Sequence, residues 1–540
     1  MRAAIKSLSS RRAASALAAG AAALALLAPT PSVAEQPVEQ ASFSHTVTSL
    51  AADGIDIDIQ VFKPAMGAGD TVPVLLHSHG WGGSKSTNVS SYQAELDAGY
   101  GVVSITQRGH GASGGLRNVE DPDFEGLDMI AVVDYIAGLD WVAKESLEQD
   151  SPWADPARGG DPVLGAWGGS YGGGYQYVLA LTEMQLYGAT RVDAMAPDIT
   201  WHNLNTALAP NDVPRSAWLT LLYSTGANKV ERYISEGFAY GIATGQYADG
   251  TVPGLHDLKA EFETHGPAGY VDDNGDRIHL DIPMLITQGF SDNLFIFNEA
   301  WDNFTQTLTP EARDRSMLVG YNGGHALPNV YPVGYAGSGD KCDGTSGTTR
   351  RAFFDAAFNG GDTRLLGNGE PFHYTTASSE CLRLTEADID FEASYQPQEV
   401  DPTGTLGPAT GGATMAGAPI SLELAQGPLT IAGVPELSAD LYGLGYDQRL
   451  FFTLSKGTSP ANAQTIQNNV MPYRMAGPVP SVGEAIEMRL PGIAETIDEG
   501  ESLYLTVSPT SDMFFGHGSR TPGFVGMTDV TVTIPTVIAD

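Results

Sequence analysis

Cysteine is nearly missing from this chain: its 540 residues include two, Cys342 and Cys381. Neither belongs to a C-x-x-C pair or to a nearby His/Cys cluster, which excludes a thiolate metal site and leaves one disulfide or two free thiols. Positive charge is scarce as well. Against 64 Asp and Glu stand 28 Lys and Arg, a formal net charge of −36, so bulk electrostatics exclude nucleic acid and anionic lipid as partners. Charged residues of both signs amount to 17% and hydrophobic ones to 42%, a balance that excludes a disordered chain. Long apolar runs are missing after residue 34, so no later segment is suited to span a bilayer.

The first 34 residues are the exception. Arg2, Lys6, Arg11 and Arg12 precede an Ala/Leu run over 13–28, and Pro29 and Pro31 lead to Ser32-Val33-Ala34. A basic start, an apolar run too short to span and a small-residue ending predict a signal peptide over 1–34, and hence a secreted, extracellular protein. Its removal would take the net charge to −40, since it carries four basic groups and no acidic one. In an oxidising compartment Cys342 and Cys381 are then expected to pair, closing a loop worth about 4 kcal/mol on chain entropy.

A chain of this length should hold more than one core, and its pattern changes character along the way. Alternating residues over 44–63, as in Ile55-Asp56-Ile57-Asp58-Ile59, predict an entry hairpin turning at Asp53-Gly54. Apolar, β-rich runs over 72–76, 101–105, 163–167 and 192–196 then alternate with helical stretches over 90–96, 126–144 and after 170. Such alternation means an α/β unit, a parallel sheet covered by helices on both faces. Aromatic, helical text interrupts it over about 198–280 and reads as a cap insertion, before strands resume over 282–287 and 316–319 and a helix over 349–358. We expect this catalytic domain to occupy 35–362. Short apolar strands separated by Gly, Pro, Asn and Asp follow, and they predict a β-sandwich domain over 363–540, with a Gly/Pro/Thr-rich linker or surface loop over 399–419.

Chemistry enters at Gly168-Gly169-Ser170-Tyr171-Gly172, a G-x-S-x-G sequence. This is the pattern of a nucleophile elbow, whose tight strand-to-helix turn needs small neighbours. Alone it is weak evidence in a chain with 64 glycines. Context strengthens it, because a β-run precedes Ser170 and a helical run follows. An acid and a histidine must then come in that order at the ends of later strands. Asp292 follows the run over 282–287, and His325 follows the run over 316–319. We therefore expect Ser170 as nucleophile, His325 as base and Asp292 as the acid that orients it. An oxyanion hole needs two preorganised N–H donors. Tyr171, after the nucleophile, and Trp81, in the loop His79-Gly80-Trp81-Gly82-Gly83, are the expected pair. His77, His79 and His110 make no defensible zinc set and read as structural. Asp272-Asp273-Asn274-Gly275-Asp276 lacks the closing glutamate of a calcium loop and reads as a hairpin turn.

These motifs, with Arg108-Gly109-His110-Gly111-Ala112-Ser113-Gly114 as an RGxGxSxG-like loop and Gly289-Phe290-Ser291-Asp292 as GxxD, resemble the CocE/NonD hydrolases. That group holds cocaine-esterase-like enzymes, α-amino-acid ester hydrolases and X-Pro dipeptidyl-peptidases. The resemblance covers nearly all of the chain after residue 34 and implies an α/β-hydrolase fold with a helical cap and a C-terminal jelly-roll sandwich. Three departures stand out: Thr106 where the group often has Asp, the HGWGG loop in place of an oxyanion tyrosine, and Tyr321-Asn322-Gly323-Gly324 in place of Gly-Pro-Trp before the histidine. The expected reaction is two-step acyl transfer on a small ester, amide or peptide, an X-Pro dipeptidyl bond among them, with no cofactor and no metal. Selecting a free N-terminus would need a cap carboxylate, for which Asp198, Asp212, Glu231 and Glu236 are candidates. The rival is a secreted binding protein that keeps the hydrolase scaffold without its chemistry.

Overall fold

A computed structural model describes residues 38–148, 151–327, 330–397 and 419–539. The signal segment over 1–34 and nearly all of the stretch over 399–419 lie outside the described residues. Among the described residues no helix is long and apolar enough to cross a membrane.

The entry hairpin pairs β1 (Ala41–Thr48) with β2 (Asp56–Lys63) from Ala41 opposite Lys63 to Thr48 opposite Asp56. The parallel strands follow as β3 (Val74–Ser78), β4 (Gly101–Ile105), β5 (Leu164–Gly169), β6 (Ala194–Asp198), β7 (Leu285–Gly289) and β8 (Met317–Tyr321). All are largely buried, as expected of strands covered on both faces. A two-residue strand, β9 (Gly334–Tyr335), leaves this sheet and pairs with Gln464–Ile466 of the C-terminal region. The sheet runs on past residue 362. β10 (Phe372–Thr375) lies parallel to β8 and β11 (Cys381–Leu384) antiparallel to β10, so the ten strands stand in the order β1-β2-β4-β3-β5-β6-β7-β8-β10-β11. The run of Phe372 to Thr375 is too short to read as a sheet strand without its partner β8.

Three helices brace the first half: α1 (Gln93–Asp97), α2 (Leu127–Ala137) and α3 (Tyr171–Tyr187). Helix α2 stops well short of the expected residue 144 because Gly138 caps it; beyond, the apolar text continues as Val142, which bridges to Val72. Between β6 and β7 the cap is built of α4 (Leu204–Leu208), α5 (Ser216–Gly226), α6 (Arg232–Thr244) and α7 (Leu258–Glu261). The C-terminal strands form further sheets whose inner faces make a separate apolar cluster around Leu437, Phe452, Leu505 and Val532. Cys342 and Cys381 are disulfide-bonded, their Cα atoms 5.3 Å apart.

The sandwich is tightly seated. Arg489 pairs with Asp302 at 2.8 Å, Asn298 bridges Leu490 and Gly492, and His517 reaches the cap carbonyls of Pro214 and Ile242. Phe451, Val470, Met513 and Phe514 join Tyr171, Trp201, Trp218 and Phe295 in one buried cluster.

Candidate active site

The chain direction reverses at β3: β4 lies on one side of it and β5 on the other. Open parallel sheets bind their ligands outside the carboxyl ends of strands at such a switch point. Ser170 is the first residue beyond β5 and the N-cap of α3, with φ 60° and ψ −125°. A serine held at positive φ is uncommon, and here the fold over-determines it. Its N–H donates to the Asp198 carbonyl on β6 at 2.9 Å, while its carbonyl accepts from the Gly173 N–H at 2.7 Å. The elbow needs its glycines for a measurable reason. A Cβ on Gly168 would stand 2.3 Å from the Gly172 carbonyl oxygen, and one on Gly172 would stand 2.5 Å from that of Ser78.

Asp292 and His325 meet beyond the ends of β7 and β8, two neighbours in the sheet. His325 Nδ1 lies 2.7 Å from Asp292 Oδ2, which also accepts the His325 backbone N–H at 2.9 Å. The other carboxylate oxygen accepts the N–H groups of Leu294 and Phe295 at 2.9 and 2.8 Å. Asp292 is fully buried and His325 15% exposed, so the imidazole alone meets solvent. Burial by itself would lower the histidine pKa. The Asp292 charge and hydrogen bond, with a smaller pull from Asp198, outweigh it and hold the pKa above its ordinary value.

Ser170 opens into a small apolar cavity of about 40 Å³ lined by Trp81, Val119, Tyr171, Trp201, Leu222 and Phe295, among others. Phe295 joins the two halves of the site: it lines this cavity and packs edge-to-face with the His325 imidazole, the ring centres 5.3 Å apart. Trp218 packs against the same imidazole at 5.7 Å. The loop after β3 comes close because β3 and β5 are paired, His77 opposite Trp167. A Cβ on Gly80 would lie 3.7 Å from that of Ser170. Trp81, next in the chain, stacks edge-on with Tyr171 at 5.4 Å, donates Nε1–H to Leu222 of the cap at 3.3 Å and lies under Arg117.

His77, His79 and His110 serve the structure around the site. His79 donates Nδ1–H to the Gly80 carbonyl at 2.8 Å and accepts the Gln107 N–H on Nε2, so both nitrogens serve the turn. His77 holds the Tyr92 hydroxyl, and burial lowers its pKa to about 3. His110 is buried and its pKa likewise lowered to about 3. Asp272 to Asp276 form a turn closed by the Asp272 carboxylate on the N–H groups of Asn274 and Asp276. Of the four candidate carboxylates, Asp212 pairs with Lys259 and Glu236 with Arg232 at the surface. Asp198 binds Thr287 and Tyr321 and faces a different cleft, beside Trp167 and Gly169. None of the four lines the Ser170 cavity.

Two supports escaped the sequence. Asn293 receives the Trp218 indole N–H at 2.9 Å and donates to the Leu327 carbonyl, bracing the loop that carries His325. Asn469, from the sandwich, donates to the Asp292 carbonyl at 2.7 Å. The first adjoins Asp292 and was findable; the second lies 177 residues away with no local signal.

Fold and chemistry together define a serine hydrolase of the α/β-hydrolase class. Residues 53–326 match the model of the X-Pro dipeptidyl-peptidase (S15) family, and the chain belongs to that family. No curated protein sequence is matched. Among solved structures, an aminopeptidase from a marine sediment Thaumarchaeota archaeon shares the fold with a TM-score of 0.59 at 14% identity, over 92% of this chain and 97% of that one. A CocE/NonD family hydrolase from Staphylococcus aureus gives 0.58 at 13%, over 92% and 94%. An α-amino acid ester hydrolase gives 0.53 at 13%, over 94% and 100%.

Proposed function

We propose that the protein is a secreted acyl hydrolase in which Ser170 attacks an ester or amide carbonyl, His325 takes its proton, and Asp292 holds the imidazole in place. The observation that carries this reading is the buried Asp292 carboxylate on His325 Nδ1, which leaves Nε2 as the basic nitrogen. Attack forms a tetrahedral oxyanion. Trp81 and Tyr171 offer backbone N–H groups to it, Tyr171 from the first turn of α3, where helical N–H groups have no intrahelical acceptor. His325 then returns the proton to the leaving alcohol or amine, and water repeats the sequence on the acyl-enzyme.

The cavity favours an apolar acyl group. Among the described residues its lining includes no carboxylate, so nothing there would hold a protonated N-terminus. We therefore rank an ester with a small apolar acyl group first. The X-Pro dipeptidyl reading is kept for one reason, the family match. Purified protein assayed on p-nitrophenyl esters and on an Ala-Pro-anilide separates them. A preference for the ester, with kcat lost by at least about 10³-fold in Ser170→Ala, is expected. Wild-type turnover in that variant would remove Ser170 from the mechanism, and a preference for the anilide would reverse the substrate ranking.

A further inference from the structure

Away from the nucleophile, the cap touches the core loop at three potential metal ligands that no step of the reaction uses: Asp121, Glu261 and His265, whose ligating atoms all lie within 4.8 Å of one another. His265 is 1% exposed. Its Nδ1 lies 3.0 Å from the Val119 carbonyl, which can only accept, so Nδ1 donates there and Nε2 is left to face the carboxylates. Nε2 stands 3.6 Å from Asp121 Oδ2 and 3.9 Å from Glu261 Oε1, both beyond hydrogen-bond length. A buried imidazole nitrogen aimed between two carboxylates and hydrogen-bonded to neither has the layout of a ligand set. Ligands about 2.0–2.1 Å from one tetrahedral ion stand about 3.4 Å apart, so small side-chain rotations close the site.

The surrounding contacts have the form of a supporting shell. Metal-bound histidines usually donate their second N–H to a carbonyl or carboxylate, as His265 does to Val119. Asp121 Oδ1 is held by the Asp123 N–H at 2.7 Å, leaving Oδ2 toward the histidine. The Tyr233 hydroxyl donates to Glu261 Oε1 at 3.1 Å and His256 Nε2 lies 3.0 Å from Oε2. One imidazole and two carboxylates give charge balance with a divalent ion. The nitrogen donor disfavours Ca²⁺ and Mg²⁺, which prefer all-oxygen shells, and suits Zn²⁺.

We propose that Asp121, Glu261 and His265 form a structural zinc site that fastens the cap to the core loop beside the acyl cavity. The loop needs fastening. Val119 and Glu120 both sit at positive φ, 68° and 62°, and Val119 lines the Ser170 cavity. A β-branched residue in that region is strained and persists only where neighbours hold it. Zinc on His265 would lock the imidazole that holds the Val119 carbonyl, joining residues from the loop after β4 to residues at the end of α7.

The test uses the full mature chain, stripped with EDTA, dialysed and titrated with ZnCl₂. Expected are retention of about one zinc per chain through gel filtration and a rise in Tm of at least about 2 °C. Both should be lost in His265→Gln and in Asp121→Asn. The asparagine keeps the cap on the Asp123 N–H, so the second variant decides if the first misfolds. Failure of the wild type to retain zinc, undiminished retention in Asp121→Asn, or an equal Tm rise with CaCl₂ would overturn the proposal.

Discussion

His325 meets two opposed demands. It must be neutral to take a proton, yet the carboxylate that orients it also stabilises its protonated form. Burial pulls the pKa down, the Asp292 contact pulls it up, and the sum stands above the ordinary histidine value of about 6.5. Activity should therefore rise with pH, and the midpoint of that rise in kcat/KM should lie above about 6.5. Asp292→Asn removes the upward pull and should move the midpoint to lower pH, while the misdirected imidazole cuts kcat by about 10³–10⁴-fold. A pH–rate profile on both proteins checks the sign, and an unmoved midpoint would count against the pairing. The placement of Ser170, Asp292 and His325 just beyond strand ends could be read from text alone, because each follows a strand-like run. Asn469 could not, since its partner is brought to it only by the seating of the sandwich.

The elbow works as an element because β5, α3 and the loop after β3 leave no room for a side chain at Gly168 or Gly172. Gly172→Ala would put a methyl group 2.5 Å from the Ser78 carbonyl oxygen, and backbone on both sides must yield. A loss of about 1–3 kcal/mol is expected for such overpacking, together with a fall in kcat as the elbow and the Trp81 loop separate. Denaturant unfolding and steady-state kinetics on the same preparation measure both, and an unchanged kcat would mean that the spacing of these elements is irrelevant to the chemistry. The parallel strands β3 to β8 were legible because burial on both faces leaves continuous apolar runs. Their ends were less so: β5 reaches Gly169 and β7 reaches Gly289, where glycine text reads as turn. Met471–Pro478 escaped altogether, its two prolines masking a strand that pairs with Tyr446–Gly457.

For the molecule as a whole, the sandwich acts as a wall of the catalytic body. It supplies Phe451, Met513 and Phe514 to the cluster around Tyr171 and Trp218, and Asn469 to the Asp292 backbone. The two-residue β9 reaches into its sheet from the catalytic side. A chain ending at residue 397 keeps all ten strands of the large sheet, so intact catalytic machinery should survive if the sandwich is an independent module. We expect instead insoluble or inactive protein, judged by gel filtration and ester turnover; a soluble, fully active fragment would refute the wall. The change from parallel sheet to sandwich was visible in the sequence as a change of strand length and punctuation. Its position was not, because β10 and β11 join the large sheet through β8, a partner some fifty residues earlier that no local pattern reveals.

The central claim, that Ser170 is the nucleophile activated by His325, is tested most directly by labelling the folded protein with a fluorophosphonate and mapping the modified peptide. One label is expected, on Ser170, and none in either Ser170→Ala or His325→Ala. A label on another residue, or undiminished labelling of Ser170→Ala, would contradict it.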